Sequence, residues 1–379
     1  MRVPLTRPLT GPREQELVAG VIESGWLTQG PNVAEFENRV SRHVGAGRAV
    51  ACSNCTVALH LALIVNGIGA GDEVIVPSYT WIATPNAVRM VGAVPVFADI
   101  DERTYNVTAE SLEAAIGERT KAIMVVHQFG LPCDMDPIKE LAEARRLVLI
   151  EDAACAIGST YKGVPVGGLG SMACFSFHPR KLISTGEGGM LTTDDAEKAG
   201  RARVLINHGA SLSDAAKHKA GSVEAILSEE FIEAGFNYRM TDLQGALGVA
   251  QMERLQHILD QRALRAARYI EALRDRGEII VPYVPSHAGP NWQSFAVRVS
   301  EECPASRDTV AQRLLDKGVS CRPAYMMCHS QPIYKGSPMH LPGTEKAFAS
   351  VIILPLYPQM SDAEQDYVIS SLIESVGRV

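Results

Sequence analysis

Leu147-Val148-Leu149-Ile150-Glu151-Asp152-Ala153-Ala154 opens with four apolar residues in unbroken succession and then meets two carboxylates. An uninterrupted apolar run suits a strand covered on both faces of a sheet; a strand wetted on one face would alternate. Ligands of open α/β sheets bind just beyond the carboxyl ends of the strands, so an acid there is placed to meet one. Read alone, the same acid can equally cap a turn.

Working outward, similar runs recur at 73–76, 94–97, 122–126, 173–177 and 189–192, with helical patterns at 56–65, 84–90, 108–115 and 136–144 between them. This alternation predicts an α/β fold with a large, mostly parallel sheet. A long helical pattern starts at Thr241 and passes Arg274 with a break, and mixed signals follow from about 277. The expected division is a large domain over 1–255, including the N-terminal segment, and a smaller C-terminal α+β domain over 256–379. The polar stretch 210–230 is expected to be a mobile loop near an active site.

The chain has 379 residues, 46% hydrophobic and 21% charged, with a formal net charge of -7. Both signs of charge are spread along it, so no basic stripe suggests nucleic acid. No apolar run is long enough to span a membrane, and the opening MRVPLTRPLTG has no apolar signal region. Eight cysteines at irregular spacing suit reduced thiols and a cytoplasmic location. Cys52-x-x-Cys55 lacks a second pair of like spacing, and no metal site is expected.

Three further stretches carry chemistry. Phe175-Ser176-Phe177-His178-Pro179-Arg180-Lys181 ends a strand on a lysine, and Gly186-Glu187-Gly188-Gly189 follows. Arg180 and His178 are expected to lower the lysine pKa toward the nucleophilic form. Ala51-Cys52-Ser53-Asn54-Cys55-Thr56 leads straight into a helix, whose free N–H groups can hold a phosphate. Alternatively, Ser53 or Thr56 is a plain cap. Trp81 follows the strand end at Pro77-Ser78, where it can stack on a flat ring or pack into the core. A phosphate cradle, an aromatic platform, an anion for a pyridinium and a Schiff-base amine are what pyridoxal 5'-phosphate (PLP) asks of its protein.

With Ser24-Gly25-Trp26-Leu27, residues 69–78, Gly235-Phe236-Asn237-Tyr238-Arg239-Met240 and Leu354-Pro355-Leu356-Tyr357-Pro358, these motifs fall in the order of a known family. Over nearly its whole length the chain resembles the DegT/DnrJ/EryC1/StrS family of PLP-dependent sugar aminotransferases. The resemblance implies a fold-type-I PLP-dependent transferase acting as a homodimer with shared active sites. It implies that Lys181 forms the Schiff base, Asp152 pairs with the pyridine nitrogen and Trp81 stacks on the ring. Ser53, Asn54, Cys55, Thr56 and Ser176 would hold the phosphate, joined by Asn237 from the neighbouring subunit. Trp26, His178, Arg239, Tyr325 and His329 would border the acceptor, and Arg322 and Lys335 would meet an acidic group such as a nucleotide diphosphate.

Two positions depart from the family. Cys55 stands where many members have glycine. Cys155 stands where many have glutamine or histidine facing the cofactor's 3-oxygen, and a thiol is the weaker hydrogen-bond partner. A small change in cofactor electronics is expected. The implied reaction is ping-pong transfer of an amino group from glutamate or glutamine to a keto-sugar, foremost a nucleotide-linked 4-keto-6-deoxy sugar, in amino-sugar biosynthesis for an antibiotic or a surface polysaccharide. A keto-cyclitol acceptor such as scyllo-inosose and a non-catalytic PLP-binding regulator stay open as alternatives. Sugar 3-dehydratases of the family carry histidine in place of the lysine, so Lys181 speaks against that reaction.

Overall fold

A computed structural model describes residues 1–212, 229–334 and 339–377. Lys335 and most of the segment expected to be a mobile loop, 213–228, lie outside the described residues. The strands are β1 (Arg48–Cys52), β2 (Glu73–Pro77), β3 (Tyr79–Thr80), β4 (Val94–Ala98), β5 (Thr120–Val126), β6 (Val148–Asp152), β7 (Thr160–Tyr161), β8 (Val164–Pro165), β9 (Met172–Ser176) and β10 (Gly189–Thr193). The helices among them are α1 (Pro12–Ser24), α2 (Pro31–Val44), α3 (Cys55–Val65), α4 (Ala83–Met90), α5 (Ala109–Glu113), α6 (Met135–Arg145) and α7 (Ala196–Leu205).

Seven of these strands form one sheet in the order β1-β10-β9-β6-β5-β2-β4. The pairs β9–β6, β6–β5, β5–β2 and β2–β4 are parallel, and β10 runs antiparallel to both its neighbours. Successive residues of each strand point to opposite faces, and both faces are apolar here. Ile75, Ile123, Val125, Leu149 and Phe175 pack with α2 and α6. Val74, Val76, Met124, Ile150 and Cys174 pack with α3, α4 and α7. This two-sided burial is the reason the runs show no alternation. β1 is not among the apolar runs that mark strands in the sequence.

Because Glu151 follows Leu149 on one face and Asp152 follows Ile150 on the other, the two acids have different fates. Glu151 is sealed in the sheet. Its Oε1 accepts the N–H groups of Leu169 and Gly170 at 2.9 and 2.7 Å. His127 accepts the Cys133 N–H on Nδ1 at 3.1 Å, which leaves Nε2 to donate to Glu151 Oε2 at 3.0 Å.

The helical pattern after Thr241 resolves into helices Asp242–Glu253 and Leu255–Leu273, broken at Arg254. Beyond them, β11 (Ile279–Ile280), β12 (Ala288–Gly289), β13 (Phe295–Val299), β14 (Arg322–Pro323), β15 (Met326–Met327) and β16 (Val351–Leu354) complete the strands. A four-stranded antiparallel sheet, β11-β13-β16-β14, packs with helices Arg307–Asp316 and Asp362–Val376 around Tyr269, Phe295, Leu314 and Leu372. Val3 joins this C-terminal core and pairs with Val319. Arg262, buried in helix Leu255–Leu273, donates to the carbonyls of Trp292, Gln293 and Leu356. Burial lowers its pKa. Two short ladders beside the large sheet tie the C-terminal part to it: β15 on β3 through Met326↔Thr80 and Met327↔Tyr79, and β12 on β7 through Ala288↔Tyr161 and Gly289↔Thr160.

Glu151→Ala would strand three buried donors, so the variant should lose about 3–5 kcal/mol of stability. Urea unfolding followed by circular dichroism reads this, and a midpoint equal to that of the parent would show that the network is not structural.

Candidate active site

The carboxyl ends of β1, β6 and β9 and the amino end of β10 meet at one edge of the sheet. Register places Gly189 between Cys52 and Ser176, with Asp152 beside Cys174. A Cβ on Gly189 would lie 2.3 Å from the Asn54 carbonyl carbon and 2.7 Å from the Cys55 nitrogen. Only a glycine lets the turn before α3 rest on β10.

That turn caps α3 through Asn54, not Ser53 or Thr56. Asn54 Oδ1 accepts the Val57 N–H at 3.0 Å, and the Asn54 carbonyl accepts the Ala58 N–H at 3.2 Å. The Ser53 N–H donates to the Tyr238 carbonyl, which places Ser53 one residue before the cap. The N–H groups of Cys55 and Thr56 are left without a partner among the described residues, at the positive end of the helix dipole. The Cys55 thiol points inward to the Cys174 carbonyl at 3.6 Å. Burial first, and then the charge of Asp152, push it well up. Cys55 therefore offers its backbone, and its side chain is engaged elsewhere.

Asp152 is 4% exposed. It accepts the Thr84 hydroxyl at 2.8 Å and the Ala154 N–H at 3.2 Å. Burial raises its pKa above the usual carboxylate range, and these two bonds only partly oppose the shift. A protonated ring nitrogen would supply the cation this carboxylate lacks at contact distance. Trp81, the residue after β3, stays 52% exposed, so it is not a core residue.

Lys181 Nζ lies 3.1 Å from Cys155 Sγ, which lies 3.6 Å from the Tyr325 hydroxyl. The sequence reading has Arg180 and His178 lowering the lysine pKa. In the structure burial does lower it, but Cys155, Cys55 and Asp152 outweigh burial, and the net direction is up. Arg180 is exposed and His178 bonds the Arg180 N–H, so the groups that act on Nζ are acidic side chains brought in by the fold.

These residues line one cavity of about 520 Å³. Of the expected residues, Asn54, Cys55, Thr56, Trp81, Asp152, Cys155, Ser176, His178, Lys181, Arg322 and Tyr325 border it. Ser53, Trp26, Asn237, Arg239 and His329 do not. Trp26 donates to the Gln29 carbonyl, Asn237 bridges Asn207, and Arg239 donates to Asn207 Oδ1 at 2.7 Å. His329 is held by Ser78 Oγ at 2.6 Å. Sequence reasoning missed Thr6, Thr84, Glu187 and Gln293, which also line the cavity. Of these, Glu187 alone stood in a stretch singled out from the sequence, the turn Gly186-Glu187-Gly188-Gly189.

The residues that line the cavity fit PLP: an amine, a buried anion in need of a cation, an open aromatic face and helix N–H groups without a partner among the described residues. Residues 8–373 match the DegT/DnrJ/EryC1/StrS aminotransferase family. The chain belongs to this family. It is an aminotransferase with the α/β fold of the sugar aminotransferases. It is 39% identical to the spore coat polysaccharide biosynthesis protein SpsC of Bacillus subtilis, over 99% of this chain and 97% of that one. It is also 39% identical to the GDP-perosamine synthase of Caulobacter vibrioides, over 98% and 97%. Spr1654 of Streptococcus pneumoniae, solved in a PLP-form, superposes with a TM-score of 0.92 at 30% identity, covering 99% of each chain. No helix among the described residues is long and apolar enough to cross a membrane.

The raised pKa of Asp152 has a sign. A raised carboxylate favours the fold below the ordinary carboxylate pKa, and that contribution is lost as pH rises through the raised value. In the cofactor-free aminotransferase, Asp152→Asn should therefore raise the melting temperature at neutral pH, and the gain should vanish in acid. A variant no more stable at neutral pH would show that burial does not strain this charge.

Proposed function

We propose that this aminotransferase uses PLP to move an amino group from glutamate or glutamine onto a nucleotide-linked 4-keto-6-deoxy sugar, in the cytoplasm, for the building of an amino sugar. The observation that carries the reading is the convergence of Lys181, Asp152 and the free end of α3 on one cavity. The names of the two relatives, one a GDP-perosamine synthase and one a spore coat polysaccharide biosynthesis protein, support the acceptor class.

When bound, PLP supplies an electron sink for charge developing at the donor carbon. The N–H groups of Cys55 and Thr56, with Ser176, would bind its phosphate. Asp152 would hold the ring nitrogen protonated, and Thr84 and Ala154 hold Asp152. Lys181 Nζ would take the proton from the donor Cα and act as the proton carrier of the site. Cys155 and Tyr325 fix where that nitrogen stands. Tyr325 is itself fixed by stacking on Phe129, with ring centroids 5.1 Å apart. Arg322 Nε is buried with no partner among the described residues, and it suits an anionic group of the substrate. Trp26, Asn237 and Arg239 lie off this cavity, and we assign them to the site of a second copy in a homodimer.

A half-reaction screen tests the reading. Glutamate or glutamine should convert the absorbance of bound PLP to that of pyridoxamine phosphate, and a nucleotide-linked 4-keto sugar should restore it. Lys181→Ala should lose both changes; full turnover in that variant would sink the mechanism. Restoration by scyllo-inosose alone would replace the acceptor with a cyclitol. Arg322→Ala should raise KM for the nucleotide sugar about tenfold or more with a smaller change in kcat. An unchanged KM would remove Arg322 from the substrate site.

A further inference from the structure

Six of the eight cysteines turn their sulfur to a backbone carbonyl: Cys52 to Asn54, Cys55 to Cys174, Cys133 to Val126, Cys303 to Val376, Cys321 to Ala311 and Cys328 to Thr80. Cys155 differs. Its sulfur meets two side chains, Lys181 Nζ at 3.1 Å and the Tyr325 hydroxyl at 3.6 Å, on the wall of the cavity. Cys155 and Lys181 are 26 residues apart in sequence, so the contact belongs to the fold and not to a local turn. Phe129, stacked on Tyr325, and Tyr79, edge-on to it, hold that wall. The sulfur borders a volume that a small oxidant can enter, and its nearest side-chain partner is an amine.

We propose that Cys155 and Lys181 are an oxidative modification site, at which hydrogen peroxide joins Sγ to Nζ as a sulfenamide and takes the lysine out of use. Sulfur attacks the peroxide first. The O–O bond breaks, one oxygen stays on sulfur as a sulfenic acid, and the other leaves as water. Sulfur is oxidised by two electrons and the peroxide is reduced. The lysine ammonium first gives one proton to solvent, and the amine so formed attacks sulfur; the S–O bond breaks, and the hydroxyl leaves as water with a second proton from the nitrogen. One thiol, one amine and one peroxide give one S–N bond and two waters. Two equivalents of a thiol reductant reverse it, giving back thiol and amine and leaving a disulfide.

The link itself is independent of the proposed function; its effect on cofactor uptake rests on that reading. A lysine engaged by the cofactor has no free amine to give, so the cofactor-free chain is the sensitive form.

The test treats the full-length protein, freed of cofactor by dialysis against an amino donor, with hydrogen peroxide and digests it with trypsin without reductant. The expected product is the Cys155 peptide joined to the Lys181 peptide, uncut at Lys181 and lighter than their sum by two hydrogen atoms. Dithiothreitol should separate them and restore cofactor uptake, followed by absorbance. Cys155→Ser and Lys181→Arg should each abolish the joined peptide, and Cys321→Ser should keep it. Recovery of Cys155 as a sulfinic acid or a disulfide, with Lys181 still cut by trypsin, would overturn the proposal. A joined peptide with cofactor uptake unchanged would leave the link standing and overturn the role given to Lys181.

Discussion

A charge taken out of water has to be answered, and at the carboxyl edge of this sheet the answer is left incomplete. Asp152 receives one hydroxyl and one backbone N–H. One residue earlier in the same strand, Glu151 is fully enclosed by donors. The difference comes from the pleat, which turns neighbouring side chains to opposite faces. One acid secures the sheet, and the other stays in need of a cation that a ligand can bring. The same edge carries the amine, the open aromatic ring and the bare end of a helix.

The spacing of these groups depends on β10. Its antiparallel insertion between β1 and β9 sets the α3 turn and Ser176 on either side of one residue without a side chain. Strand register fixes the α3 turn and Ser176 beside each other, and Lys181 follows in the turn that joins β9 to β10.

The strands of the large sheet were legible because burial on both faces makes their runs continuous, as at Leu147–Ile150 and Ala122–Val126. β1 was not, because Arg48-Ala49-Val50-Ala51-Cys52 is made mostly of small residues with weak strand preference, and it becomes a strand through packing. Lys181, Asp152 and Trp81 could be singled out from their places after strands. Thr84 on Asp152 could not be foreseen, since that contact spans 68 positions and has no local signature. The direction of the Cys55 thiol is likewise a matter of which carbonyl of β9 lies opposite. The sign of the Lys181 shift was misjudged for a related reason. Sequence neighbours carry positive charge, whereas the spatial neighbours, brought together by the sheet, do not.

The ladder between β15 and β3 involves only two residues on each strand. It sets Tyr325, 170 positions beyond Cys155, against the cavity wall. Much of what keeps solvent from that side of the lysine therefore comes from the last part of the chain. Dielectric screening around Nζ depends on how closely these C-terminal elements sit against the large sheet, with which they share a core. Chemistry at the sheet edge is in this sense tuned by docking, and a substrate that lifts Tyr325 from the wall would weaken the charge interactions at Nζ.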